Sequence, residues 1–279
     1  MKRDGSTTRN RSDTQPASAR PAVRPPGIKN HATITAFHGS KGGVGTTTLA
    51  AETAAALAAA GRHVVAVDLD LYRGDLHYRF DIPVSRGTHT LIDLVPVLDE
   101  IEARILDNAL SRCSCRVRLL PVPASSEEAD IVQPDHVHRL LTGLASEFDH
   151  VIIDTPSHLD GITAAALEES DLMVLVVTPE IASLGGARRL REALARRGGW
   201  NAREALVVNR ALGDSDLLSV ADVESFLDIP VALVLPEETA RCRRLADEGH
   251  LLTAERSPLS QGILAMVRRL FPGVISRCG

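Results

Sequence analysis

Aromatic side chains are nearly missing from this chain: one Trp, two Tyr and five Phe in 279 residues. Val, Leu, Ile and Ala must therefore fill the core. No apolar run approaches the ~20 residues of a membrane-spanning helix. Met1 to Pro26 carries charge, Ser, Thr and Pro without an apolar centre, so no secretory signal is expected there. Cysteines number four, too few and too irregular for a disulfide framework in a chain this size. Cys113-Ser114-Cys115 has one intervening residue where zinc sites have two or more, so reduced, partly buried thiols are expected. The first thirty residues hold seven Lys/Arg against two Asp/Glu, leaving the rest of a −5 chain at −10. An acidic body argues against broad nucleic-acid binding by the folded part.

What is present is an alternation. Residues 1–30 read as a disordered basic tail, rich in Pro, Ser and Arg. Over 31–279, strand-like runs at 32–38, 63–68, 116–120, 150–154, 172–177, 205–209 and 231–235 alternate with helical patterns. The helices are expected at 47–60, 135–146, 160–169, 182–197, 218–226, 238–247 and 258–270. Several strands are unbroken Val/Ile/Leu runs, which suits a sheet covered on both faces. The expectation is one α/β domain, a doubly wound and mostly parallel sheet with helices on both faces and a ligand at the strands' carboxyl ends.

Gly39-Ser40-Lys41-Gly42-Gly43-Val44-Gly45-Thr46-Thr47-Thr48 follows the first strand and opens the first helix. That context makes it a phosphate-cradling loop, with Gly42, Gly43, Val44, Gly45, Thr46, Thr47 and Thr48 as the residues that hold the anion. In the usual form a lysine stands where Thr46 is, and its ammonium reaches the outer phosphates. Here the loop's lysine is Lys41, on the opposite limb. Three acids complete the set. Asp68 and Asp70 end the second strand and are placed to orient an attacking water. Asp154 ends another strand and would hold Mg²⁺ through its water shell, with the Thr47 hydroxyl as a direct ligand. A glycine turn with solvated acids is the plainer reading of any one piece, but not of all in this order.

Lys41-Gly42-Gly43-Val44-Gly45 with Val67-Asp68-Leu69-Asp70 resembles the deviant Walker A group of P-loop ATPases that includes the MinD and ParA proteins. Within it the chain looks most like the CpaE/TadZ proteins of tight-adherence (Flp/Tad) pilus assembly. The similar segments are Gly39 to Leu49, Val67 to Leu71 with Gly74-Asp75, Leu91 to Val95, Phe148 to Pro156, and Ile229 through Leu259. The resemblance implies ATP and Mg²⁺ as cofactors and a homodimer in which Lys41 reaches the partner's phosphates. It also implies Asn209 as an adenine reader, with Pro236 flanking the base. A buried amide satisfying a loop is the equal alternative for Asn209. The implied role is a cytoplasmic localisation or assembly factor for a pilus or secretion machine, recruited through other proteins to the inner membrane face or a cell pole. Two departures stand out: relatives often carry a receiver-like amino-terminal domain where this sequence has its tail, and Thr46 leaves ATP hydrolysis weak or absent.

Rival readings are a ParA-like partitioning ATPase that binds DNA non-specifically, and a cellulose-synthesis regulator of the same fold. Arg188, Arg189, Arg191, Arg196 and Arg197 crowd one helix, and Arg241, Arg243 and Arg244 another. A solvated face is the expected reading of both. The last helix carries Leu259, Ile263, Val267 and Leu270 on one stripe, expected to pack on the sheet rather than lie on a membrane.

Overall fold

The apolar runs become strands of a single sheet in the computed structural model, which describes residues 32–83, 88–198 and 202–274. The basic tail over 1–30 lies outside the described residues. In chain order the strands are β1 (Thr33–Gly39), β2 (Val64–Asp68), β3 (Ser111–Arg112), β4 (Arg118–Leu120), β5 (His150–Asp154), β6 (Leu172–Val177), β7 (Arg203–Ala211) and β8 (Val231–Pro236). They lie side by side as β3-β4-β2-β5-β1-β6-β7-β8. Every neighbouring pair is parallel except β3 with β4.

Between them run α1 (Thr46–Ala59), α2 (Leu76–Arg79), α3 (Leu91–Leu94), α4 (Ala103–Ala109), α5 (Ser126–Ala129) and α6 (Pro134–Glu147). The second half holds α7 (Gly161–Glu169), α8 (Ile181–Arg197), α9 (Val220–Leu227), α10 (Thr239–Asp247) and α11 (Pro258–Leu270). All seven expected strands and seven expected helices are present. The short pieces between residues 70 and 133 have too few residues to show a period, and β3 has only two.

Alternate residues of each strand enter opposite cores, the geometric consequence of a two-residue side-chain period. Ile34, Val65, Val67, Val151, Ile153, Leu175 and Val208 pack with α6, α8 and α9 on one face. Phe37, Ala66, Ile152, Val174, Val176 and Val207 pack with α1 and α11 on the other. The stripe Leu259, Ile263, Val267 and Leu270 of α11 is buried in that second layer. Among the described residues no helix is long and apolar enough to cross a membrane. The sheet is doubly wound and mostly parallel, with helices on both faces, as expected.

One expectation is corrected. Cys113 and Cys115 are joined as a disulfide across the β3–β4 turn rather than standing as reduced thiols. Their Cα atoms lie 5.3 Å apart, within the range a disulfide spans.

Candidate nucleotide site

β1 lies between β5 and β6, and the chain leaves it first toward β2 and later returns on the far side. A crevice opens where the winding reverses, at the carboxyl ends of the strands. Three strand ends converge there. β1 delivers the glycine loop, β2 delivers Asp68, and β5 delivers Asp154, which is the register partner of both Asp68 and Phe37.

The loop turns into α1 at Gly45, whose φ is 101°, with Gly43 at 79° just before it. Side chains are disfavoured at both angles. A Cβ on Gly45 would also stand 2.5 Å from the amide nitrogen of Asn209. Gly45 gives α1 no side-chain cap, and no acid occupies the first helical turn. The first amides of α1 and its positive dipole end therefore face the crevice, ready for an anion. Thr46 folds back along the loop: a Cβ added to Gly39 would lie 2.4 Å from its Oγ1.

Asp68 and Asp154 are each about 2% exposed. Asp68 accepts hydrogen bonds from the amides of Asp70 and Leu76, both at 3.1 Å, so its carboxylate shapes the turn after β2. Burial raises its pKa to about 7, against those two bonds. Asp154 is also raised well above the ordinary carboxyl range, by burial first and by neighbouring Asp68 next, while the Thr47 hydroxyl opposes the rise. Its Oδ1 is buried without a partner. Two buried acids, one with an orphaned oxygen, beside a threonine hydroxyl form an oxygen set that suits a hard divalent cation and its water. Asp70 is half-buried and raised mainly by burial, countered by His158 and Arg73.

Lys41 does not point into its own loop. Its ammonium pairs with Glu180, the residue that precedes α8. Lys41 lowers the Glu180 pKa first and most, with Arg210 adding to it. Asn209 donates from Nδ2 to the Val44 carbonyl at 2.8 Å and keeps a buried, unpartnered Oδ1. Both readings of this residue thus have a structural basis: the amide steadies the loop, and its oxygen stays free for a donor. Asn209 and Pro236 line one cavity of about 120 Å³ together with Gly45 and Thr48. Sequence reasoning brought together the loop, Asp68, Asp70, Asp154, Asn209 and Pro236, and all meet at this edge of the sheet.

It missed the supports. His38 donates from Nδ1 to Thr155 Oγ1 at 2.9 Å, because that hydroxyl is itself given to the Phe37 carbonyl. Burial, then the charge of His158, lowers the His38 pKa to about 4, so the ring is a neutral brace between the loop and the Asp154 turn. Ser40 and Ser183 share a hydroxyl hydrogen bond at 2.6 Å, tying the loop to α8. Thr178-Pro179-Glu180 after β6 mirrors Thr155-Pro156 after β5, a signal that could have marked Glu180.

Comparison with known proteins places this geometry. A family model described as an AAA domain matches residues 32–197. An uncharacterized ATP-binding protein of Methanocaldococcus jannaschii is 32% identical over 81% of this chain and 83% of its own length. The septum site-determining protein MinD of Helicobacter pylori is 27% identical over 74% of this chain and 79% of itself. Among solved structures, a ParA family ATPase from Chlorobium tepidum TLS superposes with a TM-score of 0.79 at 26% identity, covering 87% of this chain and all of that one. MinD complexed with Mg-ADP from Pyrococcus horikoshii OT3 shares the fold at TM-score 0.74 and 23% identity, over 86% and 96% of the two chains.

Proposed function

The chain belongs to the AAA-domain family that its residues 32–197 match, within the MinD/ParA group of P-loop ATPases, and from that premise we propose a nucleotide-switched assembly factor. It binds ATP with Mg²⁺, pairs face to face with a second copy through the nucleotide, and localises or assembles a tight-adherence pilus or secretion machine. Hydrolysis is slow or absent.

The observation that carries this reading is the disposition of lysine. Lys41 is the sole lysine in residues 32–274 and stands on the outer limb, while Thr46 occupies the usual position. A loop built this way holds phosphates with amides and a helix end, and lacks the local ammonium that meets charge developing on a transferred phosphoryl group. Its output is therefore a bound state rather than turnover. Mg²⁺ fits the Thr47 hydroxyl and the orphaned oxygen of Asp154 and supplies charge neutralisation at the outer phosphates when bound. Asp70, half-buried beside the loop, is the carboxylate placed to orient a water, and Asp68 fixes the turn that presents it. The pilus role rests on the resemblance of segments from Gly39 to Leu259 to CpaE/TadZ proteins.

Calorimetry with ATP–Mg²⁺, run with light scattering on wild type and Lys41→Ala, tests the switch. Wild type is expected to bind and dimerise, and the variant to bind but stay monomeric. Equal dimerisation by both removes Lys41 from the partner's site, and no adenine-nucleotide affinity at millimolar concentration ends the reading. In cells, deleting the chain should abolish surface pili while leaving plasmid inheritance intact.

A further inference from the structure

Thr46 leaves the loop short of positive charge, and with the one lysine of the described chain turned to Glu180, any compensation from within the same chain has to come from arginine. Two arginines of α10 are already engaged, since Arg241 and Arg244 share Glu255. Three others come from separate elements to one wall. Arg79 ends α2, Arg210 lies in β7 and Arg243 lies in α10, and all line the 120 Å³ cavity beside Gly45 and Thr48. None of the three is in an ion pair or side-chain hydrogen bond among the described residues. The one carboxylate on that wall, Glu238, already faces Arg241 at 3.5 Å.

Arg210 is held there at a conformational cost. Its φ is 59°, in the left-handed region that L side chains avoid, at the register irregularity between β7 and β8. Strain of this kind survives only where surrounding structure enforces it, and it concentrates at binding sites. It falls one residue after Asn209, whose amide grips the loop.

The two sides of the loop differ in sign. Thr47, Asp68, Asp70 and Asp154 do not line this cavity, and they mark the end where a metal and the outer phosphates belong. The arginines stand at the other end, with Thr48 and Asn209, where the nucleoside and its first phosphate belong. We propose that Arg79, Arg210 and Arg243 clamp the nucleoside-proximal phosphate and so restore the affinity that Thr46 forgoes. The clamp rests on the nucleotide reading above and deepens it. Charge on that phosphate is unchanged while the terminal one is transferred, so the clamp holds ATP, ADP and the transition state alike. It confers affinity without rate, which suits a switch that stays loaded. The cavity is small beside the roughly 300–1,000 Å³ of ordinary ligand sites. Exposed Arg243 is the side chain free to swing aside and fold over the ligand.

The test is titration of ATP–Mg²⁺ and ADP–Mg²⁺ into wild type, Arg210→Ala, Arg210→Lys, Arg243→Gln and, as a remote control on α11, Arg268→Gln, each with its melting temperature. Arg210→Ala and Arg243→Gln should each weaken both nucleotides by the same factor, about tenfold for a charge-assisted bond. Arg210→Lys should recover part of the loss, Arg268→Gln should change nothing, and the melting temperature without nucleotide should stay within the wild-type range. Should Arg210→Ala fold poorly, Arg243→Gln carries the test, since its side chain is exposed. Loss confined to ATP places the arginines at the outer phosphate and overturns the proposal, as do unchanged affinities in both variants. Wild type that binds neither nucleotide defeats the nucleotide reading itself, a separate result.

Discussion

Asp68 and Asp154 occupy paired positions on neighbouring strands, both out of water, and their titration carries a sign that can be checked. An unfolded aspartate loses its proton near pH 4, whereas folded Asp68 keeps its proton to about 7. Between those values the native chain holds more protons than the unfolded chain, so stability falls as pH rises and levels off above 7. His38 and His150 act in the opposite sense lower down. Burial depresses each to about 4 from 6.5, so stability falls as pH drops through that range. From pH 6.5 to about 8 the buried histidines have dropped out, and the carboxyl pair shares the decline with His138, whose pKa the Glu169 hydrogen bond raises, so the comparison with a variant of the pair carries the test. Asp154→Asn should flatten the decline there and stabilise the nucleotide-free protein at pH 7.5 by on the order of 1–2 kcal/mol. Urea denaturation across that window measures it, and a slope equal to wild type contradicts the pairing. The same variant should lose Mg²⁺-dependent nucleotide binding. Thr46 supports a second experiment. Thr46→Lys returns an ammonium to the loop, and ATP turnover should rise about 10²–10³-fold if that missing charge limits the rate. Turnover unchanged in a variant that still binds ATP would place the limit elsewhere.

The phosphate loop as an element is rigid because other elements press on it. α8 crosses so closely at Gly186 that an added Cβ would stand 2.1 Å from the Ser40 carbonyl oxygen. Gly186→Ala must push the helix or the loop aside, and it should lower stability by about 1–3 kcal/mol and weaken nucleotide binding together. Loss of stability with full affinity would show that the loop tolerates the shift. α1 is pinned at its other flank. Buried Glu52 accepts from the amides of Leu252 and Thr253 and from the Thr253 hydroxyl. Glu52→Ala strands those donors at a cost of about 3 kcal/mol, and hydrogen exchange should show residues 248–256 opening first. Neither contact was legible in the sequence. Gly186 reads there as a poor residue within a helix, and Glu52 as an exposed charge among alanines, since the partners lie 146 and 200 positions away. The long elements were legible because a 3.6-residue or unbroken apolar pattern repeats often enough to be seen. The loop was legible because its chemistry is local. The braces around it depend on which strands become neighbours, and spacing along the chain does not carry that.

The charge of the whole molecule separates the outcomes expected of the assembly reading and of its DNA-binding rival. The folded part carries the negative balance, and the arginine-rich helices are largely neutralised in place. On α8, Arg188 faces Glu192, Arg191 faces Glu204 and Arg197 faces Glu168. On α10, Arg241 and Arg244 are tied to Glu238, Glu248 and Glu255. A surface that holds duplex DNA non-specifically needs free cations in number, because affinity comes from the counterions that several phosphate contacts release. Paired arginines release few, and a net negative body repels the polymer at distances near the Debye length of about 8–10 Å. Arg79, Arg210 and Arg243, which are in no ion pair among the described residues, line the cavity beside the loop, so bound nucleotide should consume part of the free positive charge, while exposed Arg189, Arg196, Arg268 and Arg269 stay unpaired elsewhere. ATP is thus expected to lower any residual DNA affinity of residues 32–274, where a partitioning ATPase would gain it. Gel retardation of a random duplex at 50 and 200 mM salt, with and without ATP–Mg²⁺, measures the sign. A shift that appears only with ATP and falls steeply with salt would move this chain to the partitioning branch of its family.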